Sequence, residues 1–231
     1  ISNIVVQSKH KDVLEQMFRI LQQSNEYHQR LVLDSYCFYI DATKFHYNQQ
    51  QYFFIIFRDI TAEYRKEQQI YELATRDMLT GLYNRYYCEK YINTQVQQVK
   101  ASQLAALILI DLDDFKLVND RYGHTIGDAY LEHIGSILST LNYGQNIAAR
   151  IGGGEFALYF HNVAYEDAVC ELIEQLRYLF SVNSFRKNNL SIAVKFSVGY
   201  AIGNQQSNFV VLYQTAEERL CEDKYLNFKN K

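Results

Sequence analysis

Apolar and polar positions along the chain switch between two repeats, one suited to strands and one to helices. Leu104-Ala105-Ala106-Leu107-Ile108-Leu109-Ile110 is an unbroken apolar run, the pattern of a strand covered on both faces. From Asn84 onward, helix and strand spacings alternate. They predict a helix over 84–100, a strand over 103–111 and a helix over 125–142. Two strands follow, at 146–151 and 155–161. An amphipathic helix over 164–181 carries Ala168, Leu172, Ile173, Leu176 and Leu179 on one face. A strand over 190–202 and a helix over 208–227 complete the pattern. The order α-β-α-β-β-α-β-α predicts an α+β fold, a sheet with helices on one side.

The first third of the chain reads differently. Residues 12–23 place Val13, Leu14, Met17, Phe18, Ile20 and Leu21 at helical spacing. Three strand-like runs follow, at about 27–33, 36–45 and 51–60, with Asp34-Ser35 and Asn48-Gln49-Gln50 as turns. They close on Asp59-Ile60-Thr61, with Thr61 as the N-cap of a charged helix. Such strands resemble the C-terminal half of a PAS sensor domain, with its first strands and cofactor-side helices missing or replaced. Half a sheet is marginal alone, so dimerisation is expected to complete it. The helix over 62–76 has Tyr64, Ile70, Tyr71, Leu73 and Ala74 on roughly one side. That stripe suits a solvated connector or a signalling helix that pairs in a dimer. His28 and His46 stand singly on strands, as ordinary surface or core histidines do.

Composition narrows the function classes. A chain of 231 residues, 48% apolar, can build one large domain or two small ones. A net charge of −3 argues against nucleic acid held on a broad basic face. Cys37, Cys88, Cys170 and Cys221 are scattered, without metal-ligand spacing or a disulfide framework, which fits a reducing cytosol and a cytoplasmic location. Apolar runs fall far short of the ~20 residues that span a bilayer. No signal peptide is visible, and the absence of an initial Met leaves room for an upstream part of a longer protein.

Two stretches carry chemistry. Gly152-Gly153-Gly154 stands between two short apolar strands and is followed by Glu155. Consecutive glycines permit a tight hairpin turn and a close backbone approach. The apolar run at 104–110 ends in Asp111-Leu112-Asp113-Asp114-Phe115-Lys116. Acids at the end of a central strand are costly near a core unless they hold a metal or another cation.

Together with Asn119-Asp120-Arg121-Tyr122-Gly123-His124-Thr125-Ile126-Gly127-Asp128, this stretch resembles the GGDEF family of diguanylate cyclases. That family shows D-x-D-x-F-K-x-x-N-D-x-x-G-H-x-x-G-D, then an R-[YF]-G-G-[DE]-E-F hairpin, here Arg150 to Phe156. Asp77-Met78-Leu79-Thr80-Gly81-Leu82-Tyr83-Asn84-Arg85 matches its opening D-x-L-T-G-L-x-N-R. The resemblance covers about residues 75 to 229. It implies a ferredoxin-like, nucleotidyl-cyclase palm as a GGDEF domain over 77–231, after a partial PAS-like domain over 1–61 and a linker helix over 62–76.

It also implies a reaction. Two domains face each other, each holding one GTP. The 3′-hydroxyl of each GTP attacks the α-phosphate of the other, giving cyclic di-GMP and two pyrophosphates, with Mg²⁺ or Mn²⁺ neutralising phosphate charge. By position in the motifs, Asp111, the Leu112 carbonyl and Glu155 would hold metal. Asn119 and Asp128 would read guanine, whose N1–H and N2–H₂ donors suit a carboxylate and an amide. Asp114 and Phe115 would offer backbone amides to phosphate, and Lys116 positive charge. Lys224 would bind phosphate and, with Glu155, serve catalysis. His124 and Arg150 also match, with a structural role sufficient for both.

The pattern breaks at three places. The third hairpin position, an acid and metal ligand in the family, is Gly154. The last-helix motif L-Y-x-A-K-x-x-G-R reads Leu220 to Phe228, with Phe228 at its arginine and Lys229 one position off. The inhibitory R-x-x-D site falls on Tyr143 and Asn146, so product inhibition there is not expected. Three functions compete: a working cyclase, a degenerate domain that binds GTP or a protein and regulates, and a structural dimerisation module. The paired losses at Gly154 and Phe228 favour the second.

Overall fold

Met17 and Leu21, both fully buried, close one side of a small antiparallel sheet. They belong to α1 (Ser8–Gln23), which precedes β1 (Glu26–Leu33), β2 (Tyr36–Tyr47) and β3 (Gln50–Asp59). The computed structural model describes residues 8–100 and 103–229, without the side chains of residues 8–14, so the expected roles of Val13 and Leu14 lie outside the described residues. Strand order is β1-β2-β3. Ile40 and Ala42 at the centre of β2 join Met17, Leu21 and Tyr27 in a core of their own. Strand β3 is open along its length, with Phe54, Ile56 and Phe57 exposed.

Helix α2 (Thr61–Thr75) follows. Thr61 does not cap it as expected. Its hydroxyl accepts from the Cys37 N–H at 2.9 Å, and Asp59 Oδ1 accepts the Thr61 N–H at 2.9 Å. The threonine is drawn into the sheet, and the aspartate before it serves the helix end. The chain divides into two compact units, residues 1–71 and 72–231.

The second unit contains β4 (Tyr83–Asn84), α3 (Arg85–Gln95), β5 (Leu104–Leu112), α4 (Phe115–Tyr122) and α5 (His124–Ser139). It continues with the hairpin β6 (Ile147–Gly152) and β7 (Glu155–Val163), then α6 (Asp167–Val182). The short pair β8 (Phe185–Lys187) and β9 (Leu190–Ile192), β10 (Phe196–Gly203) and α7 (Phe209–Lys229) complete it. Five strands form one mixed sheet of order β10-β5-β7-β6-β4, in which only β4 and β6 run parallel.

Helices cover both faces of this sheet, not one. Ala106, Ile108 and Ile110 of β5 share a core with Leu131 and Ile134 of α5 and Val169 and Leu176 of α6. Ala105, Leu107 and Leu109 share the other core with Cys88 and Ile92 of α3 and Leu212, Ala216 and Leu220 of α7. A two-residue period puts neighbours on opposite faces, so an unbroken apolar run requires cover on both. Each buried Leu or Ile contributes about 1.5–3 kcal/mol, which makes β5 the anchor of the unit.

Three boundaries differ from the sequence pattern. The first helix ends at Gln95, with a single tighter turn at 96–98. The helix expected at 125–142 is α5, ending three residues early, and an additional helix, α4, precedes it, with Gly123 between them at φ +82. The strand expected over 190–202 breaks into β9 and β10.

Candidate functional site

Asp111 lies directly across from Glu155 on one side and from Ser197 on the other. Residues opposite each other in antiparallel strands point to the same face, here the face covered by α7. Lys224 of α7 reaches down to this row, its Nζ 2.8 Å from Asp111 Oδ2. Burial and the nearby Asp111 charge push the Glu155 carboxyl above the ordinary range, partly offset by Lys224 and Arg85. Burial alone would lower Lys224, yet the hydrogen bond and charge of Asp111, with Glu155, hold its ammonium above its usual value. The row therefore keeps a proton on Lys224 and works against ionisation of Glu155.

The hairpin between β6 and β7 presents Glu155. Gly153 takes φ +54, a conformation that favours glycine. Arg150 clamps the turn, donating from Nε and Nη2 to the Gly153 carbonyl at 3.1 and 2.9 Å. Its Nη1 lies 3.2 Å from Asp77 Oδ1. The same Asp77 oxygen accepts the Thr80 N–H at 2.9 Å and its hydroxyl at 2.7 Å. Burial opposes ionisation of Asp77, but these bonds and the arginine hold its carboxyl below the usual range. Gly154 has no positive φ, and its carbonyl accepts the Leu112 N–H at 3.0 Å. A Cβ there would stand 3.3 Å from the Cβ atoms of Leu112 and Phe115.

A second group forms beside the first. Asp114, in the left-handed region at φ +57, precedes α4, and Phe115 and Lys116 form its first turn. Phe115 stacks against Tyr130 with ring centroids 6.3 Å apart. Asn119 projects from α4 into space that only a glycine leaves free, because any Cβ on Gly127 would collide with the Asn119 carboxamide. Asp128 follows Gly127 in the first turns of α5. The nine expected residues thus fall into two neighbourhoods. Asp111, Leu112, Glu155 and Lys224 surround the strand ends. Asp114, Phe115, Lys116, Asn119 and Asp128 lie along α4 and the start of α5.

A third set of residues was missed by sequence reasoning. Ser197 donates to Asp113 Oδ1 at 2.8 Å and accepts from Asn227 Nδ2 at 3.0 Å. Asp223 Oδ2 accepts the Val198 N–H at 2.8 Å and lies 3.5 Å from Arg177 Nη2. These bonds fasten the turns of α7 that flank Lys224. A signal was present: Asp223 and Asn227 stand where the motif L-Y-x-A-K-x-x-G-R has small residues. Phe228, at the arginine position, is 77% exposed, and Lys229 Nζ lies over the Tyr225 ring at 4.4 Å. Tyr143 and Asn146 line a cleft of about 530 Å³ with His161 and Glu171, and neither Lys nor Arg lines it. His28 bonds Asp41 at 2.7 Å on the surface, and all four cysteines are free. Among the described residues no helix is long and apolar enough to cross a membrane.

Residues 74–230 match the family described as diguanylate cyclase, GGDEF domain, and the chain belongs to that family. It is 31% identical over 160 residues to diguanylate cyclase DgcN of Escherichia coli (strain K12), covering 69% of this chain and 39% of the relative. It is 33% identical over 149 residues to cyclic di-GMP phosphodiesterase PdeB of Shewanella oneidensis, covering 64% of this chain and 17% of that protein. The chain therefore spans less than half the length of these relatives, whose names carry opposite activities. The crystal structure of the coiled coil and GGDEF domain of DgcB from Caulobacter crescentus, in complex with c-di-GMP, superposes with TM-score 0.64. That match has 25% identity and covers 71% of this chain and 90% of that one. Diguanylate cyclase SiaD in complex with its activator SiaC, from Pseudomonas aeruginosa, superposes with TM-score 0.60. Its identity is also 25%, over 72% of this chain and 66% of that one.

Diguanylate cyclases of this family depend in general on a divalent metal. The donors of this chain do not fit a resident one. Gly154 brings no side-chain oxygen, and the Lys224 ammonium is already bound to Asp111. Among the described residues no three His, Cys, Asp or Glu side chains converge as a metal cluster.

Proposed function

We propose that this chain is a GTP-binding regulatory member of the GGDEF family with impaired synthesis of cyclic di-GMP. The observation that carries the reading is the site's unequal state. The guanine-reading residues of the motif are both present: Gly127 makes room for Asn119, and Asp128 follows it in α5. The first amides of α4 suit phosphate, as helix N-termini do, with Lys116 and Lys224 as cations. The catalytic side is depleted, with Gly154 in place of an acid and an exposed Phe228 in place of an arginine. Binding survives such losses more readily than turnover, because turnover needs groups aimed at charge that develops only in the transition state.

The N-terminal sheet serves in this reading as a partial PAS-like sensor, and α2 as the helix that joins two copies. A regulatory protein partner is part of the proposal, by analogy with SiaD and its activator, and so is action in the cytoplasm. Titration of the purified chain with GTP, followed by assay for cyclic di-GMP, tests it. Binding without product supports it. Binding with ordinary turnover favours a working cyclase, and no binding at millimolar GTP leaves a structural module.

A further inference from the structure

We propose that the cation of this site is built in: the Lys224 ammonium offsets one of the two charges of Asp111 and Glu155 and receives the nucleotide's phosphates, so that GTP binds without a divalent ion. This rests on the reading that the chain binds GTP. Three observations lead to it. Lys224 Nζ lies 2.8 Å from Asp111 Oδ2, on the carboxylate that the family resemblance assigns to metal. Gly154 removes one carboxylate, so the two that remain carry a charge that a single ammonium halves. A divalent ion entering beside that ammonium would meet repulsion at a few ångströms in a half-buried site, where such forces are weakly screened.

The third observation is that the helix backbone bearing Lys224 is tied to the sheet on both sides of it. Asp223 holds the Val198 N–H at 2.8 Å, and Asn227 donates to Ser197 at 3.0 Å. The helix is thereby tied to β10 immediately before the lysine and one turn after it. Both ties come from side chains that stand at the small-residue positions of the family motif. The helix backbone that carries Lys224 is therefore fixed beside the carboxylate row.

Calorimetric titration of the full chain with GTP, in EDTA and again in millimolar Mg²⁺, tests the proposal. The two dissociation constants are expected to agree within about twofold. Lys224→Met should weaken binding in EDTA by about tenfold or more, the effect of losing one charge-assisted hydrogen bond. Mg²⁺ should then recover most of that loss, because Asp111 and Glu155 need an outside cation once the ammonium is gone. Lys224→Arg, which keeps the charge, should bind within a few-fold of wild type. Wild-type binding that appears only with Mg²⁺ overturns the proposal while leaving GTP binding standing. Lys224→Met binding as tightly as wild type in EDTA overturns it equally. A folded chain that binds GTP in neither buffer overturns both this proposal and the reading beneath it.

Discussion

The Asn119 carboxamide fills the space over Gly127 that any other residue's Cβ would occupy. This packing ties α4 to the start of α5, whose next residue is Asp128. GTP should therefore bind in preference to ATP. Adenine would leave the Asp128 carboxylate facing a lone pair, a loss of about 1–3 kcal/mol. Gly127→Ala should displace Asn119 and weaken GTP binding about tenfold or more, with circular dichroism unchanged. Asp128→Ala should erase the preference. Competition titrations check both, and equal affinity for the two nucleotides in the wild type would remove the assignment.

The Thr80 hydrogen bonds and the Arg150 ion pair that hold the Asp77 carboxyl down predict an acid-sensitive domain. A carboxyl held below its ordinary value near 3.8 stabilises the fold at every pH above that value. That stability disappears as pH falls through the folded value, because the folded carboxyl then takes up a proton as well and gives up its charge. Asp77→Asn should cost about 1 kcal/mol at neutral pH, a modest figure because the pair is partly open to solvent. The gap between wild type and variant should close below pH 3.8. Urea unfolding across that range measures it, and a gap that stays constant with pH would rule out the ionised Asp77 carboxylate, bonded to Thr80 and Arg150, as the cause.

Ile70, Tyr71 and Leu73 are 58%, 53% and 61% exposed on α2, and β3 is an open apolar edge. Exposed edges and apolar patches of this kind seek a partner surface. The full chain should be a dimer, and Ile70→Glu should weaken it by about tenfold or more, the effect of burying one unpaired charge. Residues 76–231 alone should be monomeric in sedimentation at micromolar concentration. A fragment that remains dimeric would place the interface elsewhere.

Part of this architecture is legible in the residues alone. The run at 104–110 can only be a strand covered twice, and the glycines at 152–154 announce the hairpin that presents Glu155. Other features depend on partners far away in the chain. Nothing local to Asp111 reveals that it faces Glu155 and Ser197, because strand register is set by the whole sheet. Helix α4 is hard to see, since Phe115–Tyr122 is short and buries none of its residues. The cover on both faces was implied by β5 itself, although the element order alone suggested one. Asp223 and Asn227 read as surface polar residues until β10 supplies Ser197 and the Val198 amide.

The central claim is that the site binds but scarcely turns over, so the most direct measurement is cyclic di-GMP formed from GTP by the purified chain with Mg²⁺ or Mn²⁺. Each missing preorganised group typically costs roughly 10²–10³ in rate. The losses at Gly154 and Phe228 bear on one nucleotide and should not simply add. Gly154→Asp should raise product formation, since the backbone there has no positive φ and Leu112 and Phe115 need yield only slightly to a Cβ at 3.3 Å. Adding Phe228→Arg should raise it further. The wild type should give little or no product, and each variant should give more. Wild-type turnover of about 1 s⁻¹ or faster would contradict the central claim, showing that this domain works without an acid at position 154.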